Sequence, residues 1–509
     1  MEPAAAAWVP FNFQLANWTA LFPDEIYGSW MQTRAPDNSS GSGRQLFEYY
    51  AAATQHCPIE EEAQDQSFEV ALDLHNLEID NNDAICVFEK VARNFEADIR
   101  RTKEKIHRYP ECIRDLGDYY TVPRIVAIGP YHHGKQPLGK AEEVKWVAAY
   151  HCIVESGCSP QAMYDAVASA ADNARTLYDK DVMAGIGYDD FRVMMFFDAC
   201  FLVQYIVWFT GLENETDPSS WHNFLHLNRS GINHDVWLLE NQLPWSVVEA
   251  VMKLRHVNLQ EYVKAWRGTL QDRRPLIEKP FVWDDTYDPP HLLGLLRHYA
   301  VGRSEKIVGR DLSKDVDKLN SLSFSASAME LAEIGITFRA NETAELVDMG
   351  LKKDVLFAEL SLAPLSLNHA RASRLVNMAA FEICTVPSFI DAQVEDSAVC
   401  SYLLLLCMLV HREEDVHELR RQGILQGGAG LTDKQALKFF TSLQSLPDGQ
   451  CCTRTMIEIE NYRFHKKMQT KVYKKRKTIF KVLSITVATI TIFGTLLSIS
   501  AQLSNVSKG

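Results

Sequence analysis

The sequence predicts a mainly α-helical protein: a large helical globular domain, with room for two lobes, followed by one transmembrane helix close to the C-terminal end. Three observations carry this. Apolar residues recur at spacings of three and four through 86–105, 141–155, 160–180, 191–210, 245–266 and 370–384, which gathers them on helix faces. Strand-like alternation is scarce, with only short pieces such as 355–360 able to pair. The stretch 482–503 contains no charged residue and is long enough to cross a bilayer.

Taken in order, residues 1–65 read as a variable, partly flexible leader. It carries aromatic patches (Trp8, Phe11, Phe13, Trp18, Trp30) and the loop-like run Asn38-Ser39-Ser40-Gly41-Ser42-Gly43. The helical globular domain is expected over 66–460, with the polar stretch 301–327 as a loop between two helical halves. Two apolar runs inside it imitate membrane spans. Asp198 lies within 193–209, and a central Asp costs about 2.5–3.5 kcal/mol on insertion. The run 402–410 is too short to cross. Both are expected to be buried core helices. A basic juxtamembrane segment, 461–481, then leads to the span at 482–503 and a short tail, 504–509.

Composition narrows the function. The chain has 509 residues, 47% hydrophobic and 23% charged, enough to bury a large core and too apolar for wholesale disorder. A net charge of -14 argues against nucleic-acid binding, which needs an excess of Lys and Arg. The acidity is uneven. No Asp or Glu follows Glu460, while Lys466, Lys467, Lys471, Lys474, Lys475, Arg476, Lys477 and Lys481 crowd ahead of the apolar stretch. The 11 scattered cysteines suit reduced thiols in a cytosol-facing domain, and Met1-Glu2-Pro3 lacks the basic start of a secretory signal.

The stretch 482–503 reaches about 33 Å as a helix, against a hydrocarbon core of about 30 Å. Basic residues precede it and only Lys508 follows, so the positive-inside rule keeps the bulk of the chain cytosolic. The expected partner is the lipid bilayer through 482–503, in the plasma membrane or an endomembrane. The run from Lys466 to Lys481 is further expected to meet anionic lipid headgroups, at about 1 kcal/mol per basic residue. Ser484, Ala488, Thr491, Thr495, Ser498 and Gln502 fall along one helical stripe. Such small and hydroxyl side chains permit a lateral helix contact in the membrane, or bond back to their own helix.

No Walker A loop, dinucleotide fingerprint, His-Glu-x-x-His, paired Cys-x-x-Cys or Gly-x-Ser-x-Gly elbow occurs. No catalytic, cofactor-binding or metal residue is assigned, and no cofactor is expected. Three clusters place polar residues in apolar surroundings. Ile128-Gly129-Pro130-Tyr131-His132-His133-Gly134 reads as a tight turn displaying histidines, either to a metal or substrate or to the helix that follows. In 235–244, Asp235, Glu240, Asn241 and Gln242 border apolar residues and Pro244 opens a helix, which favours capping and bridging of buried backbone. Asp198 needs a hydrogen-bond partner if it is buried.

These clusters, in this order, resemble the plant family known as domain of unknown function 247. The resemblance covers roughly 85–505. It runs through the Gly129 to Gly134 turn, Lys145-Trp146, Met194-Met195-Phe196-Phe197-Asp198-Ala199-Cys200-Phe201, and the block 235–244. It continues through His291-Leu292-Leu293, Ser327-Ala328-Met329-Glu330-Leu331, Asn377-Met378-Ala379-Ala380-Phe381-Glu382 and Asp415-Val416. Where members usually carry Ile-Tyr-Arg-Val-Pro, this chain has Ile106-His107-Arg108-Tyr109-Pro110. The resemblance implies a largely helical, membrane-associated plant protein without established enzymatic activity. Some grass members are linked to self-incompatibility as recognition factors.

The functional expectation is therefore a membrane-tethered, non-enzymatic protein that recognises an unknown protein partner. The alternative is a hydrolase-like enzyme using His133 (or its neighbour His132), Asp198 and Glu240, which requires those residues to converge on one site with perturbed pKa values.

Overall fold

Local signals set where the helices start and stop. In the computed structural model, residues 101–506 are described, apart from 212–219, 271–280, 304–325, 344, 355–356, 390 and 428–429. The leader 1–65, residues 86–100 of the helix expected at 86–105 and most of the loop at 301–327 lie outside the described residues, and 101–105 forms a turn rather than helix.

α1 (Gly139–Ser156) stops at Gly157, whose φ of 69° supplies the left-handed residue that closes a helix. α2 (Pro160–Ala174) starts where the Ser159 side chain accepts from the Ala162 amide, with proline in the first turn. α3 (Tyr188–Thr210), α4 (Ser220–Asp235), α5 (Trp245–Met252), α6 (Leu259–Arg267) and α7 (Leu292–Val301) follow. α3 packs against α1, α2, α5 and α6, so its faces are covered by protein. Among the described residues it is long and apolar enough to cross a membrane, yet 83% of its apolar window is buried. It is a core helix, as Asp198 within it indicates.

The chain continues through α8 (Ala328–Glu333), opened by a reciprocal Ser327–Glu330 capping box, into β1 (Ile336–Ala340), β2 (Gly350–Lys353) and β3 (Ala358–Leu362). The sheet order is β1-β3-β2. β1 runs parallel to β3 with Ile336 opposite Ala358, and β2 runs antiparallel with Gly350 opposite Ser361. The sequence pointed only to 355–360. The alternation in β1 is real, with Ile336 and Phe338 buried and Thr337 and Arg339 exposed, but it lasts five residues and is easily lost among helical spacings. β4 (Leu365–Ser366) leads to α9 (His369–Thr385), α10 (Ala398–Leu409), α11 (Glu413–Arg421), β5 (Leu425–Gln426) and α12 (Asp433–Thr441). α10, the second run resembling a span, is enclosed by α9, α12 and α13 (Gln450–Val506).

Among the described residues, the core is one contiguous apolar cluster from Ile106 to Tyr462. α13 is 57 residues long. Its first turns seat Cys451, Cys452, Met456, Ile459 and Tyr462 against α10 and β2. Farther along the same helix, Leu483, Ile485, Val487, Ile490 and Ile492 are between 53% and 70% exposed. The hydroxyls of Thr491 and Thr495, on the small-residue stripe, donate to Val487 O and Ile492 O, and Thr486 and Thr489, off it, also bond back to their own helix. Every described cysteine is a free thiol.

Candidate functional site

The polar residues singled out in the sequence gather around the turn at 128–134. The backbone of the turn and of the segment leading into it is held from three directions. The Asp235 carboxylate, at the end of α4, accepts from the amides of Arg124, Ile125 and Val126 at 2.9, 2.7 and 3.0 Å. Asn241 accepts from Ile128 N at 2.7 Å and donates to Val126 O and Asp235 O. Asp198, from α3, accepts from Gly129 N at 2.7 Å. Gly129 has φ of 76°, and a Cβ there would lie 2.8 Å from the Gln242 carbonyl oxygen. Only glycine meets both conditions.

Asp198 finds its counter-ion in Lys145 of α1, with 2.6 Å between Oδ1 and Nζ and both side chains almost fully enclosed. Lys145 also donates to Glu142 at 2.7 Å. Burial alone would lower the Lys145 ammonium, but Asp198 and Glu142 outweigh it and hold the group above its ordinary value. Burial pushes the Asp198 carboxyl up, opposed by Lys145. The short contact and the Gly129 N–H keep the pair ionic. The sequence reading missed this role of Lys145. Lys145 sits on the buried stripe of α1 with Ala141, Ala148 and Cys152, a lysine at an apolar helical position, but the sequence does not say which acid meets it.

On the other flank, Glu240 accepts from Tyr109 N at 2.9 Å and lies 3.8 Å from His132 Nε2. His132 Nδ1 is 2.7 Å from Lys135 Nζ, so the nitrogen accepts from the ammonium. Burial, then Lys135 and Arg108, push His132 down to about 3. The ring is neutral at pH 7, and its approach to Glu240 is not an ion pair. His133 is half-buried, 4.0 Å from Glu142 Oε2.

The structure thus brings His132, His133, Asp198 and Glu240 to one turn, with His132 and Asp198 buried and His133 and Glu240 partly exposed. Asp198 is 1% exposed and both its oxygens are engaged, so it cannot reach a substrate as a general acid or base. Among the described residues, no three His, Cys, Asp or Glu side chains are arranged to hold a metal.

The same logic recurs at other singled-out residues. Gln242 accepts from Leu293 N, in the first turn of α7, and donates to Val236 O and Leu238 O, each at 2.9 Å. Asn377 of α9 accepts from Leu239 N and the Tyr109 hydroxyl and donates to Tyr120 O and Ser373 O. Glu382 accepts from Arg297 and from the first-turn amides of α10, Val399 and Cys400. Asp415 accepts from Met329, His411 and Arg412 amides. Each side chain replaces water for backbone groups that would otherwise be buried unpaired.

His291 belongs to this set and carries a pH prediction. Its Nδ1 accepts from Gly294 N at 3.2 Å as the cap of α7, and the side chain is wholly buried. Burial, then His107, lowers it from 6.5 to about 3. A histidine depressed in the folded state stabilises fully above its unfolded pKa and loses that contribution as pH falls below it. Stability should therefore decline from about pH 6.5 towards pH 3, by about 1.4 kcal/mol per unit for each such histidine. Urea titrations at successive pH values check this. His291→Asn, which keeps a capping oxygen, should flatten the slope, whereas an unchanged slope would remove His291 as a cause.

These features define a class: a mainly helical domain whose segments are joined by buried polar bridges and which continues into a long helix with an exposed apolar stretch. The chain belongs to the DUF247 family, described as plant protein of unknown function, whose model matches residues 106–494. It is also similar to a UPF0481 protein of Arabidopsis thaliana, 24% identical over 369 residues, covering 66% of this chain and 72% of that one. No solved structure matches.

Proposed function

We propose that the protein is a membrane-tethered, non-enzymatic recognition protein. The stretch 482–503 crosses a plasma membrane or endomembrane once, and the helical domain stays on the cytosolic side to meet a protein partner. The observation that carries this is the exposure of Leu483, Ile485, Val487, Ile490 and Ile492 on a helix continuous with the folded domain. Such a row of apolar side chains on an extended helix needs lipid or protein to cover it. The basic residues from Lys466 to Lys481 support the cytosolic orientation and contact with anionic headgroups. Tethering raises the effective concentration of an encounter at the membrane. The hydrolase-like alternative with His133, Asp198 and Glu240 draws less from the geometry, because Asp198 is enclosed and bonded on both oxygens.

Sealed membrane vesicles carrying the full chain test the reading. Protease added to the cytosolic face should digest the helical domain, and Ile485→Asp with Ile490→Asp should release the protein, since each central Asp costs about 2.5–3.5 kcal/mol. A domain protected from protease would overturn the orientation. A doubly substituted chain that still pellets with membranes would overturn the span.

A further inference from the structure

α13 leaves the domain after Tyr462, the last of its described residues in the core, and the stretch proposed to span the bilayer begins at 482. The turns between are helix throughout, and before Gly494 the helix contains no proline or glycine to kink it. A helix that runs unbroken into a span stands up from the membrane rather than lying along it. At 1.5 Å per residue, Lys471 lies about 16 Å and Lys467 about 22 Å before the span. The field of anionic lipid is screened over about 8 Å at physiological salt. Lysines such as Lys477 and Lys481 therefore serve the headgroups, and those farther out are left for another acidic surface.

The same turns carry exposed apolar side chains. Phe464 is 62% exposed, Met468 44% and Ile479 55%. On a helical wheel Phe464, Met468, Val472 and Ile479 fall within an arc of about 80°, and Lys466, Lys474, Lys477 and Lys481 take the opposite side. Lys475 interrupts the apolar stripe, leaving one anchor group at each end, with Phe464 and Ile479 about 22 Å apart along the axis. No carboxylate occurs after Glu460. An apolar stripe outside lipid needs a protein to cover it. With basic residues on the other side, that protein must be acidic and must reach around the helix.

We infer that 464–481 is a docking helix for an acidic, calcium-loaded protein whose two methionine-lined pockets close around a basic amphipathic helix. The inference rests on the span proposed at 482–503, which leaves this segment standing in the cytosol. Calcium opens such pockets by exposing grooves of flexible methionines, which take the bulky anchors while acidic rims meet the lysines.

Fluorescently labelled calmodulin is the probe, titrated onto the full chain in phosphatidylcholine vesicles with calcium or with a chelator. Binding should saturate at one probe molecule per chain with calcium and be lost with the chelator. Phe464→Ser with Met468→Ser, at exposed positions and without change of charge, should weaken it by about tenfold or more. Adding phosphatidylserine to the vesicles should alter the affinity little, because the outer lysines stand beyond its field. Binding that is absent, that is equal with calcium and chelator, or that survives the paired serine substitutions would overturn the docking helix. So would its loss in phosphatidylserine vesicles, which would place the segment on lipid, or self-association abolished by the same serines, which would give the stripe to a second copy. Washing the vesicles in alkaline carbonate separates the two readings: a retained chain that binds no calmodulin loses the docking helix alone, whereas a released chain loses the span and the inference with it.

Discussion

Asp198→Leu is expected to destabilise the folded domain by about 3–5 kcal/mol, the range for breaking a buried ion pair from one side. The substitution leaves the Lys145 ammonium enclosed with only Glu142 as counter-charge and removes the acceptor of Gly129 N. Urea unfolding of the full chain in detergent measures the loss. A second substitution separates the ion pair from simple misfit: Lys145→Met combined with Asp198→Leu should recover much of the stability, since apolar replacements of similar volume tolerate such a site. If Asp198→Leu alone unfolds at the same urea concentration as the unaltered protein, the pair does not hold the turn.

Glu382→Ala should be comparably severe, about 3–5 kcal/mol by the same reasoning. Glu382 is fully buried and serves three functions at once. It neutralises Arg297, with Nε 3.0 Å away, and it accepts from Val399 N at 2.9 Å and Cys400 N at 2.8 Å. Those amides belong to the first turn of α10, an apolar helix in the centre of the domain, so the carboxylate caps one helix from another. Glu382→Gln keeps an acceptor but not the charge and should fall between the two. A glutamine variant as stable as the unaltered protein would mean that charge neutralisation contributes nothing.

The helical architecture was legible in the sequence because long apolar periodicity is a local property. Asp198 showed correctly that 193–209 lies in a protein core, since a carboxylate in lipid is costly whatever surrounds it. That Lys145 answers Asp198 was not legible, because the pairing depends on how α1 meets α3. Capping and bridging by Asp235, Asn241 and Gln242 could be expected from residue type. Their partners, the backbone at 124–128 and the start of α7, come from segments that only the tertiary fold brings near. The small sheet escaped because its strands have five residues or fewer.

The bridges give the motif residues a structural role. Asp198, Asp235, Asn241, Gln242, Asn377, Glu382 and Asp415 are all buried and bonded to backbone or to a buried cation. Such residues hold segments in register, so replacing one leaves a buried group unpaired rather than an open site.

We propose that the exposed apolar stretch of α13 dissolves in lipid while the domain before it remains outside the hydrocarbon. Alkaline carbonate washing of membranes that contain the full chain tests it most directly. The protein should stay with the bilayer pellet alongside an integral marker. Recovery in the supernatant with peripheral proteins would contradict it.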